Sequence, residues 1–252
     1  MTSAGTRSPA QLTQDDFEAI IYRLDTILWQ GQDDLREAYK TAHERLVAAV
    51  SDPALAACAR LLLQAPFALR CRHIVAELRA LRSQQGLWLP EERRNHDQAL
   101  RGACGYHHQL TFFNNRYRSV VGSRTALTQW LIQASSYSHR WDESYRKDWA
   151  LGVMAGSVGE VVGADLLRQL VRGLRHSTVE ADVTRHRDFK FRPTPRGVWS
   201  ADIKTGRSCL EKAVVCRGSH HIILSIRSGD IVGFYLKPER EAFYLEALRE
   251  VL

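Results

Sequence analysis

The chain has 252 residues, 44% of them apolar and 25% charged, which suits a globular protein with one large core or two small ones. Its net charge of +7 favours a polyanionic partner, nucleic acid before membrane; arginine outnumbers lysine 29 to 6, and guanidinium groups grip phosphate and guanine edges bidentately. No apolar run approaches the length of a membrane span and the first residues are polar, so no membrane association and a cytoplasmic location are expected. The five cysteines, Cys58, Cys71, Cys104, Cys209 and Cys216, are scattered and never spaced C-x-x-C, which argues against a disulfide framework and against zinc.

Residues 1–12 read as a disordered leader. Thr13 to Asp16 cap a helix whose Phe17, Ile20, Ile21, Leu24, Ile27 and Leu28 form one apolar face ending near Gly31. A second helix is expected over about 33–50. Asp52-Pro53 starts a third, since aspartate caps and proline suits the first turn. Pro66 then separates it from a fourth running to about Gln85, and Pro90 begins a fifth. Over 106–149 the character changes. Tyr106-His107-His108-Gln109 and Phe112-Phe113-Asn114-Asn115-Arg116 interleave aromatic, amide and basic side chains, the types that stack on bases and grip phosphate; the bland alternative is a loop with aromatic core anchors. The pairs His107-His108 and His220-His221 lack chelating spacing and are poor metal sites.

Ser157 to Glu160 opens a periodic helix through Val161, Val162, Leu166, Leu167, Leu170, Val171 and Leu174. Glu160 shares a stripe with Ala164 and Leu167 and so faces inward; a capping box with Ser157 explains the same glutamate. A short extended stretch is expected at 178–183. Residues 187–205 read as two extended segments joined at a turn carrying Pro193, Pro195 and Gly197. Asp-x-Lys occurs twice, at Asp188 and at Asp202. In a strand, Asp202 and Lys204 share a face while Ile203 points the other way, and pairing of the two segments brings Asp188 beside Asp202. Two carboxylates and an ammonium in one small volume suit Mg²⁺ and phosphodiester hydrolysis. A short strand at 214–218, a hairpin of 222–227 with 231–236 across Ser228-Gly229-Asp230, and a helix after Pro238 complete the chain.

The order of a helical Glu160, Asp188 some 28 residues on, and Asp202-Ile203-Lys204 14 residues after that resembles the PD-(D/E)xK nucleases, specifically type II restriction endonucleases. Val179 through Phe189, Arg192-Pro193 and Ala201 to Thr205 resemble the active-site region of one blunt-cutting enzyme of that family. Residues 222–244 resemble the tail of another. The similarity covers about 157–252. Arg187 stands where the family has proline, so Asp182 rivals Asp188, which is preferred for its spacing and for the flanking Phe189 and Pro193. A looser likeness of Arg101 and His107 to the helical HEPN ribonucleases fails because Gly102 and Gly105 should break the helix that motif needs.

The elements in this order give an α+β or α/β architecture: a helical region, 13–150, expected to serve dimerisation or DNA support, then a mixed sheet flanked by helices over 151–252, which by the resemblance is a restriction-endonuclease-like core. The resemblance further implies that Asp188, Asp202 and Glu160 hold Mg²⁺ and that Lys204 positions the attacking water. The activity implied is site-specific cleavage of double-stranded DNA to 5′-phosphate and 3′-hydroxyl ends by a homodimer. Repair, transposition and phage-defence nucleases share such a core, and a non-enzymatic nucleic-acid-binding protein is the alternative of another class. Candidate base contacts by residue type are Arg207, Ser208, Asn114, Asn115 and Arg116.

Overall fold

The computed structural model describes residues 52–136, 142–185, 187–193, 197–206, 213–218 and 220–252, with Thr13, Asp15, Asp16 and Ala19. The leader, most of the first expected helix, the helix at 33–50, and Arg207, Ser208 and Cys209 lie outside the described residues. At Thr13 the expected cap is present: the Asp16 N–H donates to Thr13 Oγ1 (3.2 Å) and the Thr13 N–H to Asp16 Oδ2 (2.9 Å).

The architecture is mixed α+β, a helical N-terminal region followed by a mixed five-stranded sheet with flanking helices. Helix α1 (Pro53–Gln85) starts where expected, with Asp52 Oδ1 accepting from the Leu55 N–H at 2.8 Å. It does not stop at Pro66. That proline is buried among Leu62, Leu63 and Leu69, and core packing outweighs the lost hydrogen bond. Helix α2 (Pro90–Val121) likewise runs straight through Gly102 and Gly105. A Cβ at Gly102 would lie 2.7 Å from Cys71 Sγ, so glycine there permits the close approach of α1 rather than breaking α2. The aromatic and basic stretch after residue 106 is therefore helix, not loop. A short helix α3 (Arg124–Ser135) follows, and then α4 (Glu143–Leu170), capped by Asp142, whose carboxylate accepts from the Tyr145 N–H at 2.7 Å. Ser157 lies inside α4, so the capping-box reading of Ser157 and Glu160 does not hold.

Val171 ends α4 in extended backbone, and Leu174 belongs to strand β1 (Arg172–His176). The stretch expected to be extended at 178–183 is instead a short helix, α5 (Val179–Arg185), docked on α2 by Arg101–Glu180 and His108–Asp182 pairs. Strands β2 (Phe189–Arg192) and β3 (Trp199–Gly206) pair antiparallel as anticipated. Strand β5 (His221–Arg227) runs parallel to β3 and also carries β4 (Val214–Cys216), for a sheet order β1-β2-β3-β5-β4. With both edges of β5 used, the expected hairpin with 231–236 cannot form. Instead β6 (Ile231–Val232) and β7 (Tyr235–Leu236) pair with each other around Gly233, whose φ of 59° few other residues adopt. Helix α6 (Pro238–Arg249) closes the described chain.

Helix α4 lies across the sheet on a stripe of glycines. A Cβ at Gly163 would fall 2.9–3.1 Å from three Ile203 atoms, and one at Gly159 would fall on Thr205 Oγ1. Ile203 therefore packs against the helix, as strand alternation requires, and Asp202 and Lys204 take the other face. The boundary expected at 150/151 lies inside α4, and one buried cluster joins Leu62, Phe113 and Trp130 with Leu167, Phe189 and Leu224. By length and composition α1 and α4 could each cross a membrane, contrary to the reading of the sequence; 67% of each apolar window is buried in this core, as in core helices.

Candidate active site

Asp188 stands at the entrance of β2, fixed by its backbone: its N–H donates to Ala201 O (2.9 Å) and its carbonyl accepts from the Ser177 N–H (2.8 Å). The register Phe189↔Ala201 sets Asp188 beside Asp202, as anticipated. Its side chain is buried, with Oδ2 accepting from the Ile203 N–H at 2.5 Å. Asp202 is equally buried, and its Oδ1 accepts from Lys204 Nζ at 2.7 Å, the lysine itself being more than half exposed. Glu160 reaches the same region from α4.

Burial pushes the Asp188 carboxyl up to about 9, with the Glu160 charge adding to the rise, the Ile203 N–H opposing it, and Asp202 and Asp182 adding further. Four carboxylates thus crowd one region, more negative charge than the fold neutralises at Asp188. Partial compensation comes from helix α2. His107 Nε2 lies 2.5 Å from Glu160 Oε1, and His108 Nε2 lies 3.1 Å from Asp182 Oδ2. Burial pulls the His107 imidazolium down, but the Glu160 charge and hydrogen bond more than offset it, so its proton is held more tightly than usual. The hydrogen bond from His108 overcomes burial at Asp182 and lowers that carboxyl. Cys104, which donates to Asp182, is pushed up to about 12, chiefly by burial.

The two rivals for the first aspartate are placed differently. Asp182 sits on α5 and is engaged by His108, whereas Asp188 adjoins Asp202 on the sheet. They also show what the sequence reading missed. His107 and His108, set aside for want of chelating spacing, are helical and clasp two of the clustered carboxylates. The i, i+4 spacing of Gly156 and Glu160 was the available signal: a Cβ at Gly156 would lie 2.9 Å from the His107 ring, so the glycine seats the imidazole that holds the glutamate. Arg101, by contrast, turns to Glu180 and makes no pair with His107.

Among the proposed base contacts, Asn114 is buried, its Nδ2 donating to Ser157 Oγ at 2.7 Å, so it cannot reach a base and that assignment is withdrawn. Asn115 is partly buried and accepts a long bond from Arg168 (3.5 Å), while Arg116 is exposed beside the Tyr117 ring. At the Ser200 end of β3, a cleft of about 330 Å³ is lined by Arg187, Lys190, Arg217 and His221. Ser200 Oγ, on the Asp202 face of β3, lies 2.9 Å from His221 Nδ1 at its edge.

Among the described residues no group of three His, Cys, Asp or Glu side chains converges in a geometry that holds a metal ion. The donor chemistry nevertheless fits a hard cation. Asp188 and Asp202 are adjacent oxygen donors, and Glu160 Oε2 is buried without a hydrogen-bond partner. Mg²⁺ takes one or two carboxylates and completes its shell with water and phosphate oxygens. Compared with protein-family models, curated proteins and solved structures, the chain matches none.

Proposed function

We propose that the chain is a Mg²⁺-dependent endonuclease of the type II restriction kind, cutting double-stranded DNA to 5′-phosphate and 3′-hydroxyl ends. The observation that carries this reading is the pairing of buried Asp188 with Asp202, two residues before Lys204 on the same strand face, where burial first and the neighbouring carboxylates second raise Asp188 to about 9. Isolated surface ion pairs do not have that character; a pocket awaiting a divalent cation does.

Asp188 and Asp202 would hold the ion, with Glu160 supporting it or a water beside it, and when bound the ion would supply positive charge to the scissile phosphate. Lys204 orients the attacking water from the open side of the sheet. The water oxygen bonds to phosphorus, the P–O3′ bond breaks, and the 3′ oxygen leaves protonated. His107 fixes the Glu160 carboxylate, and Ile203 N–H fixes that of Asp188, so two of the three carboxylates are oriented before substrate arrives. Arg187, Lys190 and Arg217 bind a neighbouring phosphate of the strand, a contact that positions without reading sequence. Cutting both strands requires two such centres, hence a twofold dimer.

Incubation with mixed plasmid and phage DNA, with and without Mg²⁺, tests this. Discrete fragments in Mg²⁺ alone are expected, and Asp202→Ala should reduce cleavage by at least a hundredfold while keeping the wild-type melting temperature. Intact DNA in Mg²⁺, or an Asp202→Ala variant that cuts at the wild-type rate, overturns the reading. Smearing instead of fragments would leave a nuclease but remove site specificity.

A further inference from the structure

A cavity of about 560 Å³ opens between α1, α2 and α4 and reaches the carboxylate cluster, with Arg72, Tyr145, Trp149 and Gly152 among its wall residues and His107 and Asp182 at its inner end. Its size is that of a small-molecule site rather than a surface dimple. The aromatic walls are braced from behind. Tyr145 meets the edge of His73 with ring centroids 5.7 Å apart, and Trp149 packs on buried Tyr106 at 5.8 Å.

Gly152 supplies an independent observation. Gly152, Gly156, Gly159 and Gly163 form one stripe of α4, and three of them are accounted for by protein neighbours: His107, Thr205 and Ile203. Gly152 is not. A Cβ there would meet nothing within 4 Å, yet glycine inside a helix costs about 1 kcal/mol against alanine. Gly152 is exposed at the cavity's rim, and its missing side chain leaves that rim open.

Extending the nuclease reading, on which it rests, we infer that this cavity receives one unpaired nucleobase of the strand whose phosphate lies at Asp188 and Asp202. A base has a flat π-face for Trp149 and Tyr145, an edge of N–H donors for the Asp148 carboxylate that also lines the cavity, and an attached phosphate for Arg72. A plain apolar ligand would leave the Asp148 carboxylate and the Arg72 guanidinium on the wall without a matching group. The substrate strand is accordingly single-stranded or locally opened at the site of attack.

The test uses the full chain in EDTA and a 5′-fluorescein-labelled 20-nucleotide strand of randomised sequence, alone or fully paired, with binding read by anisotropy. Gly152→Leu fills the cavity without touching a cluster residue and should weaken single-strand binding about tenfold or more while changing duplex binding little. Gly152→Ala, a smaller intrusion, should weaken it less than leucine does. Tyr145→Ala, two turns earlier on the same face of α4, should also weaken single-strand binding and stands in if the leucine variant fails to fold. Wild-type single-strand affinity in both wall variants, an equal loss for strand and duplex, or no single-strand binding by the wild type overturns the inference. The same oligonucleotides in Mg²⁺ separate the two ideas. Cleavage without any Gly152 dependence removes the base cavity alone, and Gly152-dependent binding without cleavage removes the nuclease alone.

Discussion

At Asp188 the fold holds a carboxyl where ionisation is costly. Burial first, and the Glu160 charge second, raise it from an unfolded value near 3.8 to about 9. Between those values the folded chain binds a proton the unfolded chain has lost, so this group's contribution to stability falls steadily as pH rises from about 4 to about 9. Asp188→Asn removes the charge but keeps an oxygen for the Ile203 N–H. We expect it to raise stability at pH 8 by on the order of a few kcal/mol, or several degrees in melting temperature. The gain should shrink towards zero near pH 4, and Mg²⁺-dependent cleavage should be lost. Melting curves of the two proteins across that range decide the matter; equal curves at pH 8 would mean that Asp188 carries no strained proton. The same residues mark how far the site could be read from sequence. Asp188, Asp202 and Lys204 were legible because strand alternation and a Pro/Gly turn are local signals. His107 was not, because helix α2 runs on through Gly102 and Gly105, and at Gly102 it packs on Cys71, a contact 31 residues away in sequence.

Helix α4 shows how one element couples packing to chemistry. Its length was misjudged because Ser157 and Glu160 mimic a cap, whereas the true start at Asp142 is marked only by Asp142 and Glu143. Its glycines at 159 and 163 are what lets the helix lie on β3, the strand that bears Asp202 and Lys204. The same substitution at two of them should act with opposite sign. At Gly159 an added methyl falls on Thr205 Oγ1, so Gly159→Ala should destabilise by about 1–3 kcal/mol despite its better helix propensity. Displacing Thr205 also displaces Lys204, and cleavage should fall with it. At Gly152 the methyl meets open space, and alanine should stabilise by up to about 1 kcal/mol. Urea denaturation of both variants checks this. Two changes of the same sign would show that α4 does not rest on β3 through Gly159. The failed hairpin at 222–236 has a comparable origin: its local pattern was sound, but β5 spends both edges on β3 and β4, and sheet order is a long-range property.

For the molecule as a whole, the sequence suggested a helical support and a separable catalytic core meeting near residue 150. The fold class is as read, but the two regions share one interior. Met154, Val158 and Leu167 of α4 are fully buried in the same cluster as Leu62 and Leu63 of α1, Leu110 and Phe113 of α2, and Leu131 of α3. The carboxylate site straddles the same line, since Glu160 is held by His107 and Asp182 by His108. A fragment of residues 151–252 would cut α4 after its second turn and expose its apolar face. Each fully buried leucine or phenylalanine left in water forfeits about 1.5–3 kcal/mol, and several together exceed the 5–15 kcal/mol that usually separates a domain from its unfolded chain. The fragment should therefore show no cooperative thermal transition, should bind a hydrophobic dye, and should neither bind DNA nor cleave it. A sharp calorimetric transition from the isolated fragment, with Mg²⁺-dependent cleavage retained, would show instead that α1–α3 are an appendage. In that case the His107 and His108 clasps on Glu160 and Asp182 would be dispensable to the site.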